Sequence, residues 1–238
     1  MLATSIAIGK DITVGTDPEH NILDLNNALG AAAPGDTIIL KPGTYKLTSE
    51  LSSLIGLGLE DVVIRGENPK NPPVIDGDNI GRAIILRRPK NLMIENLIIQ
   101  NMTQGGLNID DADIDTGEPP ESWEPTLAHN ITLRNIIIRD IGVNSGNIDG
   151  LKLSGLNEFH IDNLQVLNWG DGGSAIDMVG CHNGTIENSL FHSDKENVLT
   201  TGLVTKGGSE TIRIKNNRFE LPKGFGSAVK LGGSTSEG

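Results

Sequence analysis

The sequence predicts an all-β solenoid: a single-stranded parallel β-helix with a short helix over its N-terminal end. Three observations point there. A strand pattern recurs as GLKLSG (150–155), AIDMVG (175–180), GLVTKG (202–207) and AVKLGG (228–233), with starts 25, 27 and 26 residues apart, a period typical of stacked repeats. A second pattern, hydrophobic–charged–asparagine, ends at Asn96, Asn135, Asn163, Asn188 and Asn216, at steps of 39, 28, 25 and 28. Glycine supplies 30 of 238 residues and aromatics only 3%. Coils that turn every few residues need glycine and asparagine in left-handed conformations, and stacked Ile, Leu and Val fill such a core without rings.

The elements follow in order. Residues 1–20 offer one edge strand at 5–8. Residues 21–33 place Ile22, Leu25 and Leu29 at helical spacing and stop before Pro34 and Gly35. This short helix covers the first rung, whose N–H and C=O groups would otherwise lie unpaired. Residues 36–40 form the first clear strand, closed by the Pro-Gly turn at 41–44. Residues 45–47 resume it and 54–59 cross to the next coil. Short strands at 62–64 and 74–75 flank the proline-rich loop GENPKNPP (66–73), and residues 82–87 and 106–110 join the recurrent strand class. Each asparagine of the second pattern can hold a bend while its amide bonds to the asparagine one coil away. The 39-residue step contains an acidic, proline-bearing insertion, 110–128, which leaves the stack as a loop. Its turn partners in later coils, at 142–149, 169–174, 192–201 and 221–227, precede the recurrent strand and are expected to overhang the same face. A continuous stack is one domain, 1–238. The last residues follow a regular strand without a cap, which reads as a stack truncated at its C-terminal end.

Bulk properties exclude several functions. The formal charge of −12 leaves no basic footprint for nucleic acid. No run of 18 apolar residues would span a membrane, and the N-terminus shows no signal-peptide pattern. The single Cys181 forms no intrachain disulfide and reads as a small buried residue. The expected state is a monomer unless the last coil pairs with another copy.

Alternation decides what faces outward. With Leu151 and Leu153 in the core, Lys152 and Ser154 point out. The same register aligns Ile85, Asn108, Lys152, Asp177, Val204 and Lys230 in one outward column, and Arg87, Asp110, Ser154, Val179, Lys206 and Gly232 in a second. Rungs lie about 4.8 Å apart, so Lys152 and Asp177 are neighbours and an extended polymer can lie along them. A solvated sheet of cross-strand Lys/Asp pairs is the alternative. Two chemistries fit the column. For β-elimination of a uronate, Lys206 is the base, Lys152 meets the carboxylate or oxyanion, and Asp177 completes the catalytic set. For hydrolysis, Asp177 with Asp149 or Asp171 divides the acid and base roles. Asp149, Asp171, Trp169, Lys230 and Asn108 are the expected substrate contacts, with Trp169 and Trp123 able to stack on sugar rings. Asp110, Asp111 and Asp113 have the oxygen density for Ca2+ without the spacing of a calcium loop. His182 and His192 stand too far apart in coil position for zinc.

The stretch NIDGLKLSGLNEFHIDNLQVLNWGDGGSAIDMVGCHNGTIENS, the later GLVTKGGSETIRIKNNRF and AVKLGGST, and the opening GDTIILKPGTYKL resemble the right-handed parallel β-helix proteins of the pectate-lyase-like superfamily. More narrowly, they are similar to bacterial parallel β-helix repeat proteins. The likeness covers about residues 30–233. It implies a right-handed coil, an extracellular or periplasmic location and a polysaccharide or oligosaccharide partner. It also implies one of three activities: lyases that use calcium with a Lys or Arg base, hydrolases with paired aspartates, or non-catalytic adhesins. Asn147-Ile-Asp149 is similar to the Asn-Thr-Asp segment of polygalacturonases. Gly170-Asp-Gly stands where those carry paired aspartates, and Cys181-His-Asn-Gly only approximates their Gly-His-Gly. The leading expectation is a polysaccharide lyase acting by β-elimination on an extended acidic polysaccharide. A hydrolase and a non-catalytic glycan-binding or structural β-helix are the alternatives.

Overall fold

Alternating aliphatic residues make the strands, and residues in left-handed conformations turn the corners between them. The computed structural model describes residues 9–15, 21–118, 128–142, 146–195, 201–222 and 226–233. The strand expected at 5–8 lies outside them, as does Trp123. In chain order the elements are β1 (Asp11–Val14), α1 (Ile22–Ala31), β2 (Thr37–Leu40), β3 (Thr44–Lys46), β4 (Ser53–Leu57), β5 (Val63–Gly66), β6 (Val74–Asp76) and β7 (Ala83–Arg87). They continue with β8 (Lys90–Gln100), β9 (Leu107–Asp110), β10 (Ala128–Arg139), β11 (Leu151–Ser154), β12 (Leu156–Leu167) and β13 (Ser174–Val179). The last are β14 (His182–Glu187), β15 (Leu190–His192), β16 (Thr201–Lys206), β17 (Arg213–Lys215), β18 (Arg218–Glu220) and β19 (Val229–Leu231).

Among the described residues every strand ladder is parallel. One sheet has seven strands in the order β4-β7-β9-β11-β13-β16-β19. The other, of twelve strands, runs β1-β2-β5-β8-β10-β12-β14-β17 and carries β3, β6, β15 and β18 on its flank. This is a parallel β-helix. Leu133 pairs with Ile94, Ile161 with Leu133, Ile186 with Ile161 and Ile214 with Ile186, the steps read from the sequence. The insertion is slightly shorter than expected, because Asp110 is the last residue of β9 and Ala128 the first of β10. It leaves from the end of β9, the opposite edge of the parallel sheet from the turns that enter β11 and β13.

Asn21 caps α1, accepting from the Leu23 amide at 2.9 Å, which satisfies one of the orphan donors of the first turn. Ile22, Leu25, Ala28 and Leu29 are buried, and the helix packs on β1, β2 and β4. With Leu54, Ile64 and Leu86, Leu25 and Leu29 line a small apolar void of about 30 Å³ at this end of the core. The core is otherwise a continuous stack of Ile, Leu and Val, each fully buried side chain contributing about 1.5–3 kcal/mol of transfer free energy. No helix among the described residues is long and apolar enough to cross a membrane.

Asn96, Asn135, Asn163, Asn188 and Asn216 all have positive φ, between 52° and 58°, a conformation asparagine tolerates better than most residues. Asn135 donates to Asn96 Oδ1 at 3.1 Å and Asn163 to Asn135 Oδ1 at 2.8 Å. The expected amide ladder stops there. Asn188 donates instead to Asp162 Oδ1 at 2.8 Å, because an ionised carboxylate is a stronger acceptor than an amide oxygen. A second corner, unnoticed in the sequence, is turned by Asn91, Asn130 and Asn183, also at positive φ. There Asn91 bonds to Asp61 and Asn130 to Asn91.

Candidate active site

The seven-stranded sheet carries the charged row. Asn108, Lys152, Asp177, Val204 and Lys230 pair in succession across β9, β11, β13, β16 and β19. Arg87, Asp110, Ser154, Val179 and Lys206 form the parallel row. Both columns keep the register expected from alternation. Lys206 leans diagonally between them, and its Nζ lies 3.1 Å from Asp177 Oδ1. The Asp177 side chain is only 6% exposed and that of Lys206 22%. Oδ1 has no well-directed hydrogen bond among the described residues, so charge, not alignment, holds this contact. A carboxylate so buried needs a cation beside it.

Asp149 enters from the turn before β11. Its Oδ1 accepts from the Ser174 amide at 2.7 Å. Burial, and secondly the charge of Asp177, push its carboxyl up to about 6, against the opposing pull of the Ser174 amide, Lys152 and Lys206. Asp149, Asp177, Lys152 and Lys206 therefore form one electrostatic cluster. Lys152 has no hydrogen bond or ion pair among the described residues, leaving its ammonium available to a ligand.

The raised Asp149 has a consequence for stability. Its folded-state pKa of about 6 exceeds the ordinary 3.8, so the folded chain holds a proton that the unfolded chain releases. Stability from this group is full below the unfolded value and is lost as pH rises through the interval from 3.8 to about 6. The loss above it is on the order of 3 kcal/mol. Asp149→Asn should be more stable than the parent by up to that amount at about pH 8, with the two converging near pH 3. Urea titrations across the range measure this, and a constant difference between the two proteins would contradict it.

The acidic residues after β9 do not gather into a cation site. Burial raises the carboxyl of Asp110, opposed by the Ala112 amide and by Arg87 and Lys152. Burial also raises Asp111, reinforced by Asp110, and its carboxyl lies against Gly155, where a Cβ would come within 2.1 Å of it. Asp113 caps its own turn, accepting from Thr116 and Asp115 amides at 3.0 and 2.9 Å. Those bonds, and Arg88 with Nη2 3.5 Å away, hold its carboxyl below the usual range. Among the described residues no three His, Cys, Asp or Glu side chains converge to hold a metal ion, and calcium requires six to eight oxygens. Asp110, Asp111 and Asp113 do not fit that ion.

Two arginines shape the edge of this face. Arg87 packs against Gly117, where a Cβ would sit 2.7 Å from Nη2. Arg88 donates from Nε to Asp111 O at 3.1 Å. Arg88 was not legible as a site residue. Its φ of 49° occupies a corner that Gly58, Gly155, Gly180 and Gly207 turn in other coils. An arginine in a glycine's corner is the available signal, since the conformation costs about 1–2 kcal/mol and its bonds to 111 and 113 offset it.

Two expected substrate contacts lie elsewhere or work differently. Trp169 is 1% exposed and donates from Nε1 to Gly173 O at 3.3 Å; it is a core residue and cannot stack on a sugar. Asp171 faces Lys195, with Nζ 3.4 Å from Oδ1. Cys181 is buried, and desolvation pushes its thiol up to about 12, which keeps it unreactive. Asn108 and the exposed Lys230 remain on the face. His182 pairs with Glu210 and His192 with Glu220 in different coils.

No protein-family model and no curated protein matches the chain. Among solved structures it is similar to an alginate lyase from Paenibacillus sp. str. FPU-7, with a TM-score of 0.60 and 16% identity over 94% of this chain and 76% of that one. The likeness is one of fold, a parallel β-helix. A pectin methylesterase from Aspergillus niger also aligns, at TM-score 0.41 and 11% identity over 99% of this chain and 92% of that one. So does a mutant PL6-family alginate lyase, at 0.40 and 14% over 96% and 41%. In this parallel β-helix the charged row occupies the seven-stranded sheet, beside the turns that precede β11 and β13.

Proposed function

We propose that the chain is a carbohydrate-active protein that cleaves an extended acidic polysaccharide by β-elimination. The observation that carries this reading is Lys152, without an ion pair among the described residues, one rung from the buried Asp177–Lys206 pair. The alginate lyase of similar fold supports the substrate class. Lys152 neutralises the carboxylate of the bound uronate and makes its α-proton acidic. Lys206 is the base of this reading. It takes that proton, and Asp177 stabilises the ammonium produced. As the double bond forms, the glycosidic C–O bond breaks, and Asp149 in its protonated form gives the departing oxygen a proton. No step requires a metal. An extracellular or periplasmic location goes with such a substrate.

Hydrolysis is the second reading, favoured by one observation: Asp149 is held near 6 while its neighbour Asp177 is paired with a lysine. Two neighbouring carboxylates in such different surroundings can divide acid and base roles. Incubation with alginate, polygalacturonate and hyaluronate, with and without calcium, separates the readings. Ultraviolet absorbance of an unsaturated product is expected from at least one. New reducing ends without that absorbance would replace elimination by hydrolysis, and neither signal would make the face a binding surface only.

A further inference from the structure

A second candidate site lies on the twelve-stranded sheet. Where most coils turn on a single asparagine, the coil joining β5 to β6 turns through the proline-rich loop at 67–73. Pro69 and Pro72 of that loop face Asn96, Leu97, Asn135, Ile137, Asn163 and Gln165 across a groove of about 270 Å³. No charged side chain lines it, on a chain of net charge −12. Its polar wall runs along the solenoid axis for two rung spacings, about 10 Å.

The polar groups of this groove have capacity to spare. An asparagine amide carries two N–H donors, and Asn135 and Asn163 each spend one on the ladder. Because Asn188 turns to Asp162, Asn163 Oδ1 receives no hydrogen bond among the described residues. The Gln165 amide has no partner among them either. Amide donors and acceptors beside Ile137 and opposite Pro69 and Pro72 offer hydrogen bonds to hydroxyls and apolar contact to ring C–H groups. A uronate would find no cation there. A proline-rich peptide uses aromatic-lined grooves and a β-strand peptide a free sheet edge, and the groove provides neither.

We infer that this groove binds a neutral oligosaccharide, independently of the chemistry on the seven-stranded sheet. Its hydroxyls bond to Asn135, Asn163 and Gln165, and its ring faces rest on Pro69, Pro72 and Ile137.

The test is an NMR titration of the ¹⁵N-labelled chain with cello-, xylo-, manno- and galacto-hexasaccharide, a hexameric polygalacturonate and a proline decapeptide. At least one neutral hexasaccharide should shift the side-chain amide signals of Asn135, Asn163 and Gln165 at millimolar concentration. Gln165→Ala should weaken that binding about tenfold, and Ile137→Lys should weaken it as well, while the folded but inactive Lys206→Arg leaves it unchanged. The inference is overturned if no neutral hexasaccharide shifts these signals, or if the decapeptide or the uronate shifts them instead. It is equally overturned if Gln165→Ala binds as the parent does. Failure here leaves the elimination reading standing, because that reading is judged by product formation at Lys152 and Lys206.

Discussion

Lys206→Met should lose polyuronate turnover by about 10²–10⁴-fold and also destabilise the fold by about 3–5 kcal/mol. The second effect follows from burial. With its side chain 6% exposed, Asp177 would keep a charge with no ammonium beside it and with the Asp149 carboxyl nearby. The double variant Asp177→Asn/Lys206→Met removes both charges and should regain most of the stability without regaining activity. Lys206→Arg keeps the ion pair but supplies no base at accessible pH, so it should stay folded and inactive. Urea unfolding and turnover, measured on the same three variants, test the two roles separately. A Lys206→Met protein as stable as the parent would show that Asp177 does not depend on this lysine, and full activity in Lys206→Arg would remove it as the base.

Trp169→Ala is expected to cost about 3–5 kcal/mol, the range for emptying a large aromatic site. The indole is fully enclosed and is tied to Gly173 O. Trp169→Phe keeps much of the volume and loses the N–H bond, so about 1–3 kcal/mol should disappear. Denaturant midpoints order the three proteins. A Trp169→Ala variant with unchanged stability but weakened sugar binding would return this residue to the surface role that its composition suggested.

The contrast between Lys152 and Trp169 shows what a sequence of this kind exposes. Lys152 could be placed opposite Asp177 because Leu151 and Leu153 must both face the core, and period-two alternation leaves the lysine one direction only. The same rule fixed Asn108, Lys230 and Lys206 in their columns. It could not show Lys206 crossing to Asp177, since a long side chain reaches diagonal neighbours as readily as direct ones. Trp169 sits in a turn, where no alternation applies. Gly170 and Gly173 press against Ile148, with a Cβ on either coming within 2.6 Å or less of it. That close approach draws the turn, and the indole, inward. Asp110, Asp111 and Asp113 failed as a cluster for a related reason: proximity in sequence does not make carboxylates converge when each has a different partner.

The insertion between β9 and β10 bears on how such a molecule can change. It lengthens one coil, yet Leu133 still meets Ile94 on one sheet and Leu153 still meets Ile109 on the other. Register is negotiated between neighbouring coils and is insensitive to what leaves the stack at a turn. The coil is therefore a unit of descent as well as of folding. Duplicating one by recombination would extend the working face by a single rung and leave the inherited side-chain columns in line, and a new loop could be acquired at a turn without renegotiating either sheet. A lineage built this way can alter the length of its charged face and the loops around it by separate genetic events.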